Sequence, residues 1–96
     1  MRVITNRRLI EFAAAHPKAG EPLQNWRRIM ESKLFCNFSE LRQTFNNVDK
    51  VGDLYVFDIG GNKYRLVAYL HLERQIAYIK HILTHNEYDL GTWRKS

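Results

Sequence analysis

Apolar positions recur at helical spacing through the first third of the chain and predict two amphipathic helices. The first helix begins after Thr5, an N-cap residue type, and ends at Pro17. The second begins around Pro22, a residue favoured in a first helical turn, after a loop over Lys18–Glu21. The apolar stripes consist of Leu9, Phe12, Ala13 and His16 in the first helix and of Leu23, Trp26, Met30 and Leu34 in the second.

A change from helical spacing to alternation follows in the second half of the chain. A short third helix beginning at Ser39 places Leu41 and Phe45 inward and ends at Asn46-Asn47. After it, Tyr55, Phe57 and Ile59 alternate with Val56 and Asp58, which is typical of a half-buried strand.

The glycines after this strand predict a hairpin. Gly60-Gly61-Asn62 tolerates the positive φ of a tight turn, and further strands follow over Tyr64–Leu72 and Ile76–Leu83. Residues 1–4 are a candidate fourth strand, and the segment after Thr84 is long enough for about one helical turn and a tail. We therefore predict an α+β fold, with an N-terminal helix pair packed on a small, twisted antiparallel sheet.

The length and composition limit the kind of site. With 96 residues the chain forms a single domain, 1–96, whose thin core favours a shallow groove over a deep cavity. The formal net charge of +5 favours a polyanionic partner. One cysteine, Cys36, excludes an intrachain disulfide and fits a reduced, cytoplasmic setting; we expect it to be a small buried residue. No stretch approaches the ~20 apolar residues of a membrane helix.

Basic and aromatic residues interleave in the last third of the chain, which suits a single-stranded RNA backbone and its bases. Lys63, Arg65 and Tyr69 alternate along one strand, which places Lys63 and Arg65 on one face. RNA cleavage requires a base for the 2′-OH, an acid for the 5′-oxygen and a cation for the phosphorane. Side chains able to supply all three without a metal are Arg65, Lys80, His85 and Tyr88.

Structural alternatives exist for each of these residues. The cations also suit a solvated strand face that guards the sheet against edge pairing. His81 and His85 are four residues apart, about 13 Å on a strand, so we expect no metal site unless the strand ends between them. Trp93 caps the core, stacks on a base or faces a partner, and core capping is favoured.

The run YVFDIGGNKYRLVAYLHLERQIAYIKHILTHNEYD, residues 55–89, resembles the signature region of HigB-type toxins within the RelE-like mRNA interferases. The resemblance implies a RelE-like microbial ribonuclease fold and a toxin–antitoxin function. The implied activity is a metal-independent, cofactor-free endoribonuclease that cuts messenger RNA in the ribosomal decoding site. The implied partners are the messenger RNA, the ribosome and its RNA, and a cognate helix-turn-helix, HigA-like antitoxin. The resemblance further implies that DNA is contacted only through the antitoxin complex, and we expect no membrane partner.

The resemblance also implies roles for individual residues. It assigns the scissile phosphate to Arg65, a second phosphate contact or a base to Lys63, and a basic position of the family to Lys80. His85 is assigned to proton transfer and Tyr88 to stacking or orienting the nucleotide, while Asp89 tunes His85 or, as we prefer, caps the turn. The RNA-binding set comprises Lys63, Tyr69, Trp93, Arg94 and Lys95.

Two functions of other classes remain open at this point. One is a non-catalytic RNA- or ribosome-binding module that uses the same basic face and shows a steep salt dependence. The other is an interaction protein whose helix pair docks a partner.

Overall fold

A computed structural model describes residues 1–95 of the chain, with the side chain of Lys95 left out. The helices in the first half, together with the strand that precedes them, agree with the predicted order. In chain order the elements are β1 (Arg2–Ile4), α1 (Asn6–Ala15), a 3-10 helix (Pro17–Ala19), α2 (Gly20–Ser32), α3 (Phe38–Thr44), β2 (Asp49–Val51), β3 (Leu54–Ile59), β4 (Tyr64–His71), β5 (Ile76–Thr84), α4 (His85–Leu90) and a second 3-10 helix (Thr92–Lys95).

Within residues 1–95 the strands form one five-stranded sheet in the order β1-β5-β4-β3-β2. The predicted meander is confirmed as β3, β4 and β5, which pair antiparallel, and β2 extends it at the far edge. β1 pairs parallel with the start of β5. The segment between these two strands, which contains the helices, provides the long crossover connection that a parallel pair requires. The prediction of a purely antiparallel sheet is therefore wrong, while the α+β class is confirmed.

The main core lies between α1–α3 and one face of the sheet. Leu9, Leu23, Trp26 and Met30 from the helices meet Phe57 and its neighbours on the central strands, and all of them are buried. Burial of such side chains is the main favourable contribution to the free energy of folding, at about 1.5–3 kcal/mol for each large one. The two predicted helical stripes are thus confirmed at most of their positions.

A second, smaller cluster covers the other face of the sheet. Val56 and Val67 are buried there beneath Trp93, with Leu83 and Tyr88 packed alongside. β3 was expected to be half-buried, but it is buried on both faces at Val56. The structure shows the core-capping alternative for Trp93, which is 4% exposed.

Three local predictions are wrong. Leu34 does not continue the α2 stripe and is 70% exposed, because α2 ends at Ser32. The predicted loop over Lys18–Glu21 is a 3-10 turn that passes directly into α2 at Gly20. Cys36 is exposed rather than buried, since it precedes the N-cap of α3 on an irregular segment.

A β-bulge interrupts the pairing of β4 with β5. Val67 is opposite His81 and Ala68 is opposite Ile79, which leaves Lys80 as the extra residue of β5. The alternation of side chains between the two faces of the sheet therefore changes phase at Lys80.

None of the helices among the described residues has the length and apolar character that a membrane span requires.

Candidate active site

Arg65 occupies the hairpin end of the two central strands. It is directly opposite Asp58 in the register of β3 and β4, and its Nε lies 3.0 Å from Asp58 Oδ1. The turn between these strands has positive φ angles of 64°, 63° and 79° at Gly60, Gly61 and Asn62. Glycine adopts this conformation without a Cβ clash and asparagine tolerates it, so the chain reverses tightly beside Arg65.

Each of the three guanidinium nitrogens of Arg65 has an internal partner. Nη1 donates to the carbonyl oxygens of Asn62 at 3.1 Å and Tyr64 at 3.2 Å. Nη2 donates to Asn62 Oδ1 and lies 3.4 Å from His85 Nδ1, while Nε faces Asp58. The residue is only 8% exposed. Because a buried charge is costly unless it is paired and hydrogen-bonded, this guanidinium is held in one geometry.

The short helix α4 brings His85 to this guanidinium. Thr84 and Glu87 form a capping box, in which the Thr84 hydroxyl accepts from Glu87 N and Glu87 Oε1 accepts from Thr84 N. The backbone N–H of His85 donates to the Lys63 carbonyl at 3.1 Å, which joins the start of α4 to the hairpin turn.

Asp89 contacts the ring of His85 from the next turn of α4. Its Oδ2 lies 3.1 Å from His85 Nε2, and both side chains are about half exposed. The turn-capping role that the sequence favours for Asp89 is not what the structure shows. The structure instead shows the ring contact, and the helix ends where Gly91, at φ 74°, donates to the carbonyl of Tyr88.

Aromatic contacts complete the cluster. The rings of Tyr88 and Trp93 stack with centroids 5.1 Å apart, and Trp93 Nε1 donates to the Tyr88 carbonyl at 3.0 Å. Arg65 Cζ lies 5.4 Å from the centroid of the Tyr88 ring, within cation–π range. We call Asp58, Asn62, Arg65, His85 and Tyr88 the Arg65 cluster.

Lys80, one of the four residues singled out for chemistry, lies outside the Arg65 cluster. It is the exposed bulge residue of β5, three positions before Leu83, which is the residue opposite Arg65. Three strand residues span about 10 Å, so the structure brings together Arg65, His85 and Tyr88 but not Lys80.

The predicted RNA-binding residues surround the cluster at different distances. Lys63 is exposed in the turn before β4, so the strand alternation that was to align it with Arg65 begins only at Tyr64. Tyr69 is 38% exposed and lies four residues along β4 on the face of Arg65, beside Tyr78. Arg94 is exposed over the Trp93 ring, and the side chain of Lys95 lies outside the described residues.

Comparison with known protein families identifies the family of this chain. Residues 19–91 match the model of the HigB toxin family, described as the RelE-like toxic component of a toxin–antitoxin system. The chain belongs to the HigB toxin family. The matched segment includes Arg65, His85 and Tyr88 and ends before Trp93.

Curated relatives of this HigB-family chain are similar over nearly its whole length. The mRNA interferase HigB of Escherichia coli O6:H1 is 32% identical over 93% of this chain and 89% of its own length. The mRNA interferase toxin HigB of E. coli K12 and the mRNA interferase HigB of Shigella flexneri are each 33% identical over 96% of this chain and 91% of theirs.

Two members of the Arg65 cluster were missed by sequence reasoning. The alternation of the sequence predicts only a polar strand position for Asp58 and a turn position for Asn62. Their contacts with Arg65 depend on the register of β3 with β4 and on the backbone of the turn. The signal that could have indicated the pair is an acidic residue on the strand before a Gly-Gly-Asn turn, together with an arginine on the strand after it.

Among the described residues, no three His, Cys, Asp or Glu side chains are grouped as metal ligands.

Proposed function

We propose that this HigB-family toxin is an mRNA interferase, an endoribonuclease that cuts messenger RNA in a ribosome-dependent manner and so inhibits translation and growth. The observation that carries the proposal is the contact of a buried arginine, Arg65, with His85 and Tyr88 at one end of the sheet. The names of the relatives from E. coli and Shigella flexneri support the same activity.

The chemistry of the proposal is an attack of the RNA on itself. The 2′-oxygen loses its proton to a base and bonds to the adjacent phosphorus, and the bond from phosphorus to the 5′-oxygen breaks. The leaving oxygen takes a proton, so the products are a 2′,3′-cyclic phosphate and a 5′-hydroxyl. The transition state carries additional negative charge on the phosphoryl oxygens, which a nearby cation stabilises.

His85 is the proposed proton carrier. Arginine can only donate hydrogen bonds, so Nδ1 of His85 faces Arg65 as an acceptor and Nε2 carries the hydrogen directed at Asp89. The distance of 3.4 Å between Nη2 and Nδ1 is long for a hydrogen bond, so a 2′-hydroxyl can take the place of that contact. Asp89 then stabilises the imidazolium that forms when Nδ1 accepts the proton.

Arg65 and Tyr88 have complementary proposed roles. Since each guanidinium nitrogen of Arg65 already has an internal partner, its charge is proposed to act on the phosphate while its contacts hold His85 and Tyr88 in position. The Tyr88 ring packs against Trp93 and the guanidinium, which leaves its hydroxyl as the group that orients or protonates the nucleotide. We propose Lys63, Tyr69, Arg94 and Lys95 as contacts to the flanking RNA, and we give Lys80 no part in proton transfer.

We also propose the finer identity of the partners. A toxic component of a toxin–antitoxin system has an antitoxin, and we propose a HigA-like protein with a helix-turn-helix, through which DNA is reached indirectly. We propose messenger RNA on the ribosome as the substrate and the cytoplasm as the place of action.

Mapping of transcript 5′ ends before and after induced expression tests the proposed function. We compare the wild-type chain with His85→Gln and with His71→Gln, a matched histidine control at the opposite end of β4. New ends inside translated frames, lost in His85→Gln and when translation is blocked but kept in His71→Gln, are the expected result. Absence of new ends with well-expressed wild-type protein would overturn the nuclease proposal and favour the RNA-binding module.

A further inference from the structure

A groove of about 440 Å³ lies between α1 and the second half of β5, and we call it the α1–β5 groove. Phe12, Ala15, Ile82 and Leu83 form its apolar lining. The remaining lining residues are titratable or charged: Arg8, Glu11, His16, Lys80 and His81. Pockets that bind small molecules have volumes of about 300–1,000 Å³, so the groove is large enough for a ligand the size of one nucleotide.

Two cations lie side by side in the α1–β5 groove. Nη1 of Arg8 donates to the carbonyl oxygens of Ile79 at 2.8 Å and Lys80 at 2.6 Å, which holds the guanidinium against the bulge of β5. Within residues 1–95, Nε and Nη2 of Arg8 make neither a hydrogen bond nor an ion pair. The ammonium of Lys80 extends from the exposed bulge residue itself. A guanidinium that backbone carbonyls position, with donors still available, is suited to bind a phosphate.

The charge of the α1–β5 groove is predominantly positive. Its one lining carboxylate, Glu11, forms an exposed ion pair with Arg7 at 3.4 Å. The pKa of His81 is lowered by burial and by the nearby charges of Arg8 and Lys80. The groove therefore suits a ligand that carries negative charge.

The α1–β5 groove adjoins the Arg65 cluster. Leu83, which lines the groove, is directly opposite Arg65 in the register of β4 and β5, and it lies two residues before His85. Lys80 is three strand residues, about 10 Å, farther along β5. An RNA strand with its scissile phosphate at the cluster thus has to extend only a short way along β5 to bring a neighbouring nucleotide into the groove.

We propose that the α1–β5 groove is a subsite for one nucleotide of the RNA strand that is cut, next to the cleavage position. Its phosphate binds Arg8 and Lys80, and its base packs against the apolar lining at Phe12 and Leu83, since apolar and aromatic side chains suit the face of a base and cations suit the backbone. An acidic peptide also matches the charge, but the groove opens beside the residues proposed to cut RNA, so the observations favour a nucleotide. The inference rests on the nuclease function proposed above.

The two parts of the subsite have different consequences for the reaction. A phosphate contact away from the scissile bond is made equally by the bound substrate and by the transition state, so it lowers KM and leaves kcat unchanged. The contact with the base depends on which base is present. The groove therefore contributes to the choice of the sequences that are cut.

The phosphate contact is tested by the kinetics of messenger RNA cleavage on programmed ribosomes with the purified toxin. We compare the wild type with Lys80→Ala, Lys80→Arg and Lys18→Ala; Lys18 is an exposed lysine of the first 3-10 helix that does not line the groove. We expect Lys80→Ala to raise KM roughly fivefold or more with kcat within about twofold of wild type, because one phosphate contact is lost. Lys80→Arg and Lys18→Ala are expected to keep KM within about twofold.

Two results of the kinetic experiment overturn the subsite. One is a KM of Lys80→Ala equal to that of Lys18→Ala, and the other is a loss in kcat alone. Absence of cleavage by the wild type overturns the proposed nuclease function itself, so the failure of the function and the failure of the subsite are distinguished.

The base contact is tested by the sequences around the mapped 5′ ends in cells that express Ala15→Trp or Ala14→Trp. Both alanines are exposed in the last turn of α1, but only Ala15 lines the groove, so the indole fills the groove in one variant and not in the other. We expect Ala15→Trp to change the nucleotide preference at one position beside the cut by about threefold or more, and Ala14→Trp to keep the wild-type preference. An unchanged preference in Ala15→Trp overturns the proposal, and together with a raised KM in Lys80→Ala it assigns the cations to ribosomal RNA instead.

Discussion

The Arg65 cluster and the α1–β5 groove are both positively charged, but they hold their cations differently. Arg65 is buried and each of its three guanidinium nitrogens has an internal partner. Lys80 in the groove is exposed at a bulge. A charge held in one geometry before substrate arrives suits transition-state stabilisation, whereas an exposed lysine adapts to a partner. The contrast separates the proposed catalytic region from the proposed binding region on neighbouring strands.

Removal of the Trp93 ring is expected to have the largest effect on the stability of the catalytic region. Trp93→Ala opens a cavity over Val56 and Val67 and removes the stacking partner of Tyr88, which lowers the free energy of unfolding by about 3–5 kcal/mol. Urea denaturation followed by circular dichroism measures it. Arg94→Ala, at the exposed neighbouring position, is the control and is expected to stay within about 0.5 kcal/mol of wild type. A loss below about 1 kcal/mol for Trp93→Ala would contradict a core role for this ring.

Loss of the carboxylate that faces Arg65 is expected to have the second-largest effect on stability. Asp58→Ala leaves the guanidinium without its carboxylate and costs about 3 kcal/mol, the low end of the range for buried pairs, since Asp58 is itself 25% exposed. Asp53→Ala, an exposed aspartate in the turn between β2 and β3, is the matched control. Equal stability of the two variants by urea denaturation would show that Arg65 needs no fixed counter-charge.

The smallest expected effect is a dependence of the stability of the chain on pH, which arises from His81. The pKa of His81 is lowered in the folded chain, so just below its ordinary value of 6.5 the unfolded chain binds more protons than the folded one. Stability therefore falls as the pH falls through this window toward the lowered pKa. The groups facing His81 are Arg8, Glu11 and His16 from α1 and Lys80 from β5.

Melting temperatures of wild type and His81→Asn across pH about 7.5 to about 5 measure this effect. The variant is expected to lose less stability on acidification than the wild type. Parallel curves for the two proteins would mean that His81 has an ordinary pKa in the folded chain.

The hydrophobic pattern of the sequence was sufficient for most of the fold. Helical stripes around Leu23 and Trp26 and the alternation through Tyr55 and Phe57 specify α1, α2 and the meander, because period and burial are directly linked. β2 was missed because its three residues, Asp49–Val51, carry no alternating signal of their own. The direction of β1 was not predictable, since pairing across the sheet depends on packing of the whole chain.

The candidate site was less accessible to sequence reasoning than the fold. His85 and Tyr88 were found through a resemblance, and their contacts with Arg65 arise only when α4 docks on the hairpin turn. Lys80 was expected to join them because both it and Arg65 lie on neighbouring strands. The bulge of β5 and the packing of α1 beside it place Lys80 in the α1–β5 groove instead, and neither feature has a local sequence signal.

The bulge at Lys80 also determines which side chains of β5 face the main core. Ile79 and Ile82 both pack toward the main core although they are three positions apart, an odd spacing that a regular strand would divide between its two faces. The strand therefore consists of two half-strands of opposite phase, joined at a residue whose side chain neither half needs for packing. Deletion of Lys80 would leave Ile79 and Ile82 two positions apart, so that regular pairing with β4 would keep both side chains on the core face. The bulge thus accommodates one residue that the packing does not require, and both substitution and removal of Lys80 are expected to leave the core face of β5 unchanged.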